Sequence, residues 1–106
     1  MIETAQISDI VSRIVNYYNP EKIILFGSYA KGNYSENSDL DFILIKDTNT
    51  PKHKRAIEVR RLFYGLPVPM DFKIYTSTEF NIELSNKYSF LSSAIQESKI
   101  LYERKD

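Results

Sequence analysis

The sequence predicts a small mixed β-sheet with helices packed mainly on one face, an α/β (α+β) fold in one domain over residues 1–106. Three observations point there. Apolar residues recur at helical spacing in several stretches, and short apolar runs bounded by Gly, Pro and Asp separate those stretches. At 106 residues, 42% hydrophobic and 26% charged, the chain can build one core and wet its surface, with nothing left for a second core.

The elements follow in order. From Thr4 to Tyr18, Ile7, Ile10, Val11, Ile14, Val15 and Tyr18 form one amphipathic stripe, and Asn19-Pro20 ends it. Lys22-Ile23-Ile24-Leu25-Phe26 is a continuous apolar run stopped by Gly27-Ser28, as expected of a strand buried on both faces. A turn or short helix over Ser28–Tyr34 runs into the polar loop Gly32–Ser38, dense in turn formers. Asp39–Lys46 is a second central strand whose first residues alternate acid and apolar. Pro51 suits the first position of a helix whose core stripe is Ala56, Val59, Leu62 and Phe63, with Lys52, Lys54, Arg55, Arg60 and Arg61 on the rest; Gly65-Leu66-Pro67 ends it. Val68–Tyr75 is a third strand, and Pro69 implies either an edge position or a strand starting at Met70. A short helix capped by Ser77 or Thr78, a longer one over Lys87–Glu97 and a strand at Ile100–Tyr102 complete the order.

Fourteen Lys+Arg balance fourteen Asp+Glu, so no global charge marks a nucleic-acid coat or a polybasic membrane anchor. Cysteine is absent and His53 is the single histidine, which excludes thiolate or His-rich metal centres and leaves oxygen ligands. The N-terminal segment has two acids and no basic stretch, and no apolar run approaches the ~18 residues of a membrane span, so the expected location is the cytoplasm.

The chemistry concentrates between Gly27 and Asp71. Side chains at i and i+2 of a strand share a face about 6.5–7 Å apart, so Asp39 and Asp41 project together while Leu40 and Phe42 enter the core. Asp71 lies within another apolar strand; if that strand neighbours the second, three carboxylates converge where burial penalises each of them. Mg²⁺ is the counterion such a cluster suits, and two ions ~3.5–4 Å apart would bind the attacking and leaving oxygens of a phosphoryl or nucleotidyl transfer. Upstream, Gly27 lets a phosphate approach the backbone, and Ser28 opens a helical turn whose N–H groups and hydroxyl can hold an anion.

Gly27-Ser28, ten intervening residues, Asp39-Leu40-Asp41 and a later Asp71 resemble the polymerase-β-type nucleotidyltransferase superfamily, and the chain length resembles its minimal (MNT) members. The resemblance extends from the first helix to Ile100-Leu101-Tyr102-Glu103. It implies that Asp39 and Asp41 hold both metals, that Asp71 binds the catalytic metal and helps deprotonate an acceptor hydroxyl, and that Gly27 and Ser28 hold the β,γ-phosphates of an NTP. Lys31 stands where the minimal family often carries Arg, which replaces a bidentate phosphate contact by a point charge. The resemblance further implies an antitoxin that transfers AMP from ATP to a tyrosine of a small α-helical HEPN toxin, in a homo- or hetero-oligomer. The alternatives are transfer to a small molecule or RNA, and a non-catalytic module that neutralises its partner by occlusion.

Several features have plainer explanations. Lys52–Arg61 is either a solvated charged face or a surface for nucleic acid or an acidic partner, and His53 within it has no claim to be a base. Asp71 could pair with Lys73, and Lys73 could contact a triphosphate. Tyr29 and Tyr34 suit base stacking, a partner interface or the edge of the core, and Ser38 suits a turn cap. Phe80, Ile82, Leu84 and Tyr88 form either an interface or the underside of the last helix.

Overall fold

The computed structural model describes residues 3–35 and 38–105, so Glu36 and Asn37 of the polar loop and the first two residues of the N-terminal segment lie outside the described residues. The order is α1 (Thr4–Tyr18), β1 (Lys22–Phe26), α2 (Ser28–Lys31), β2 (Leu40–Ile45), a 3₁₀ turn (Lys52–Lys54), α3 (Arg55–Arg61), β3 (Met70–Tyr75), α4 (Ser77–Leu84), α5 (Phe90–Ile95) and β4 (Lys99–Glu103). The four strands form one sheet in the order β3-β2-β1-β4. β1 runs antiparallel to β2 and β4, whereas β2 and β3 are parallel, with α3 in the crossover that a parallel pair requires.

The continuous apolar strands are buried on both faces, as their composition predicts. Ile23 and Leu25 of β1, with Leu40, Phe42, Leu44, Phe72 and Ile74, pack against Ile10, Ile14 and Tyr18 of α1, Tyr29 and Ala30 of α2, and Val59 of α3. Ile24, Phe26, Ile43, Ile45 and Tyr75 face the other way, onto Phe80 of α4 and Leu91 of α5. Helices therefore lie on both faces, α1 to α3 on the first and α4 and α5 on the second. Five large apolar side chains on the second face would otherwise meet water, at about 1.5–3 kcal/mol each.

Local chemistry sets the boundaries. α1 begins in a capping box between Glu3 and Gln6 and ends at Asn19, which adopts a left-handed conformation (φ 55°) and donates its N–H to the Ile14 and Val15 carbonyls. β3 starts at Met70 and is the sheet edge, so both readings of Pro69 hold; the Pro69 carbonyl accepts from Leu40 N at 3.0 Å. After β4, Arg104 donates from its backbone to Glu21 O (2.8 Å) and from Nη2 to Asn19 O (2.6 Å), closing the sheet at the start of β1.

Four sequence expectations change. Pro51 precedes a 3₁₀ turn rather than opening the helix itself. Arg55, expected on the charged outer face, is 6% exposed: Nε donates to Thr50 O (2.8 Å), Nη1 to Ile74 O (3.2 Å), and Nη1 and Nη2 to the Glu79 carboxylate (2.6 and 3.2 Å). It pins α3 to β3 and α4. α4 is capped by Thr76, not by Ser77 or Thr78: Thr76 Oγ1 accepts from Glu79 N and Glu79 Oε1 accepts from Thr76 N. The last helix is short, because Ser89 caps it at Phe90 and the chain turns again after Ile95; α4 is the longer of the two.

Candidate active site

Strand register assembles the site. Phe26, the last residue of β1, faces Asp41 of β2, and Asp41 faces Asp71 of β3. Because Leu40, Phe42 and Phe72 point to the first face, Asp41 and Asp71 project from the second, on neighbouring strands about 4.8 Å apart. Asp39 sits one residue before β2, exposed, near the same end of the sheet. Gly27 follows Phe26 with φ 76°, and a Cβ built there would run into the Asp41 carboxylate. Glycine is thus required both by the backbone conformation and by the space that Asp41 occupies. Ser28 begins α2, whose first turn closes with Lys31 N donating to Gly27 O at 3.1 Å, and Gly32 ends it at φ 82°. The first N–H groups of such a turn have no partner within the helix.

The electrostatics are those of crowded acids. Burial first, and then the charges of Asp71 and Asp39, push the Asp41 carboxyl above its usual range, with Lys73 opposing. Asp71 is held loosely by two exposed cations, Arg60 at 3.5 Å and Lys73 at 4.0 Å. Lys73 also lies 5.2 Å from the ring centre of Phe90, which packs edge-on against Phe26 (5.6 Å) and bounds the site on the α5 side.

Among the described residues, no three acidic or histidine side chains close around one point as a finished metal cage. The donor set nevertheless suits a hard cation. All of its atoms are carboxylate oxygens, and Asp41 carries repulsion that Lys73 leaves uncompensated.

Other expected residues fall into place. Lys31 ends α2, exposed and one turn from Gly27. Tyr29 is buried in the core and Tyr34 stacks on it, centroids 4.4 Å apart and planes 2° from parallel. Ser38 Oγ accepts from Ser35 N (2.8 Å), a turn cap. His53 is exposed in the 3₁₀ turn. Phe80 is core, whereas Ile82 and Tyr88 are exposed. Arg60 is the contact that sequence spacing did not single out, since α3 lies on the first face and its guanidinium reaches Asp71 around the edge of β3.

Comparison with known proteins adds to this geometry. The family model "Polymerase beta, Nucleotidyltransferase" matches residues 8–106. Over 104 residues, 96% of this chain and 100% of the relative, the sequence is 31% identical to the Methanocaldococcus jannaschii protein named "Putative protein adenylyltransferase MJ0604". The crystal structure of a toxin–antitoxin with AMP-PNP superposes with a TM-score of 0.63 at 20% identity, covering 92% of this chain and 74% of that one. A mutant of the toxin–antitoxin MntA-HpeT gives a TM-score of 0.62 at 17% identity, with 92% and 73% covered. At these identities the two structures show the shared fold.

Proposed function

Because this chain belongs to the polymerase beta nucleotidyltransferase family, we propose that it is a Mg²⁺-dependent protein adenylyltransferase, moving AMP from ATP to a tyrosine hydroxyl of a cognate HEPN toxin. It then acts as the antitoxin of the pair, in the cytoplasm. The observation that carries the proposal is the register Phe26–Asp41–Asp71, which sets the two strand acids side by side next to the Gly27 turn. The name of the M. jannaschii relative supports a protein as acceptor, and the titles of the two structures of the same fold support a toxin as the partner.

The roles are those that the family resemblance implies for these residues. Asp39 and Asp41 would hold two Mg²⁺ ions, and Asp71 one of them. Two bound ions supply neutralisation of the charge that builds on the α-phosphate and on the departing pyrophosphate. Gly27 and Ser28 hold the β,γ-phosphates, where a bare backbone and a helical turn offer N–H donors, and Lys31 adds a point charge. The acceptor oxygen attacks the α-phosphorus, the bond to the β-phosphate oxygen breaks, and pyrophosphate leaves with the electron pair. Asp71, at the open edge of the site, takes the hydroxyl proton. Most of the rate enhancement is then positional and electrostatic.

The test is to incubate the chain with ATP, Mg²⁺ and the protein encoded beside it, and to weigh that protein. A gain of one or more AMP masses, lost in Asp39→Asn and Asp41→Asn, is expected. A gain that persists in those variants overturns the site assignment, and no gain with the wild type overturns the reaction.

A further inference from the structure

Asp71 is the acid of the site that already has cations against it. Its Oδ1 lies 3.5 Å from Arg60 Nη2 and its Oδ2 lies 4.0 Å from Lys73 Nζ, so each carboxylate oxygen faces a different positive group. The fold brings both there. Lys73 is two residues beyond Asp71 on β3 and shares its face, with its ammonium 5.2 Å from the centre of the Phe90 ring, which Phe26 backs. Arg60 comes from α3, which the Arg55 bonds to Ile74 O and to the Glu79 carboxylate hold against β3 and α4. Asp39 and Asp41 are supplied differently. Neither makes an ion pair with a described residue, and the cation that acts on Asp41 is Lys73, from beyond contact distance; Lys31 is not among the charges that reach it. Three carboxylates against two cations leave the cluster with a single net negative charge. One divalent ion turns that into a single positive charge. A second would triple it within a few ångströms, where water's dielectric does not cancel the repulsion, whereas a triphosphate brings enough negative charge to offset both ions.

We propose that Arg60 and Lys73 are built-in counterions of Asp71 that limit the resting site to one divalent ion, at Asp39 and Asp41, and that the phosphates of the nucleotide draw the two cations off Asp71 and so admit the second ion. This rests on the two-ion adenylyltransferase proposal for the identity of the site. The pairs are suited to release. At 3.5 and 4.0 Å they are longer than the about 2.7–2.9 Å of a tight charge-assisted bond, and both are exposed, so a triphosphate is the stronger anion for the same two groups. The second ion and the nucleotide consequently bind with positive coupling, each favouring the other by the same factor. The ion at Asp71 is then in place only when there is a nucleotide to act on.

The probe is Mn²⁺, followed by electron paramagnetic resonance on the full chain at low ionic strength. Two Mn²⁺ ions held ~3.5–4 Å apart give a spin-coupled spectrum, which neither a lone bound ion nor Mn²⁺ on nucleotide in solution gives. The wild type should take up one uncoupled ion per chain without nucleotide. It should show the coupled pair when α,β-methylene-ATP is added, whose α–β bridge cannot be cleaved. In the double variant Arg60→Gln, Lys73→Gln the second ion should bind roughly tenfold tighter and the coupled pair should form with no nucleotide. Both side chains are about half exposed (57% and 45%), so their replacement leaves the core untouched. Arg60→Lys, which keeps the charge, should behave as the wild type. A coupled pair in the wild type without nucleotide, no pair with the analogue, or equal second-ion affinity in the double variant and the wild type overturns the proposal while leaving an ion at Asp39 and Asp41. Absence of Mn²⁺ uptake in every condition, or an uncoupled ion that persists in Asp41→Asn, overturns the metal assignment beneath it.

Discussion

Gly27 and Asp41 are mutually exclusive with any side chain between them: a Cβ at position 27 would overlap the Asp41 carboxylate, with Cγ only 3.2 Å away. The turn that would hold phosphate and the acid that would hold metal are thus one steric unit, and a change in either disturbs the other.

Gly27→Ala should therefore lose activity by about 100-fold or more while costing ~1–3 kcal/mol from the positive φ and the displaced carboxylate. Urea unfolding beside the AMP-transfer assay separates the two effects. A variant with wild-type turnover would remove the Gly27–Asp41 unit from the mechanism.

Asp41→Asn should abolish transfer yet raise stability slightly, by about 0.5 kcal/mol at neutral pH. Burial and like charge raise the Asp41 pKa in the folded state, so the ionised carboxylate opposes folding above the usual carboxylate range. That penalty is relieved as pH falls through the raised value. Adding Mg²⁺ should raise the melting temperature of the wild type and leave Asp41→Asn unmoved. Equal shifts in both would place the ion elsewhere.

Glu79 sits at about pKa 2, held down by the Arg55 guanidinium and the Thr76 N–H. A depressed folded pKa stabilises the protein above the ordinary carboxylate range, and that stability drains away as pH falls from about 4.5 through about 2. Glu79→Gln should cost ~1–2 kcal/mol at pH 7, since it leaves the buried Arg55 without its anion, and should flatten the acid limb of a pH–stability curve. A curve parallel to wild type would contradict this.

Thr76→Ala removes the hydroxyl that accepts from Glu79 N and should cost about 1 kcal/mol, whereas Ser77→Ala and Thr78→Ala should not weaken the cap. Chemical denaturation of the three variants ranks them.

Periodicity made α1, β1 and the strand acids legible, since a stripe at three and four, a run of apolar residues and an i, i+2 pair each leave a local signature. The pairing of Asp41 with Asp71 was legible only as a condition, because strand order is set by how crossovers pack and not by spacing. Arg55 was misplaced for a related reason. A charged residue beside a core stripe looks solvated until a carboxylate from 24 residues later is found against it. The cap at Thr76 fell one residue early, where three consecutive hydroxyl side chains made the choice one of backbone conformation rather than composition.

Arg104 fastens the segment that follows β4 to Asn19 and Glu21, at the start of β1, while the acids gather where β1 stops. Lys105 consequently lies at the pole of the sheet opposite the acids. An affinity handle or a surface tether placed there leaves the mouth of the site unobstructed, so the chain can be immobilised for binding work in the orientation that presents the acids to solution.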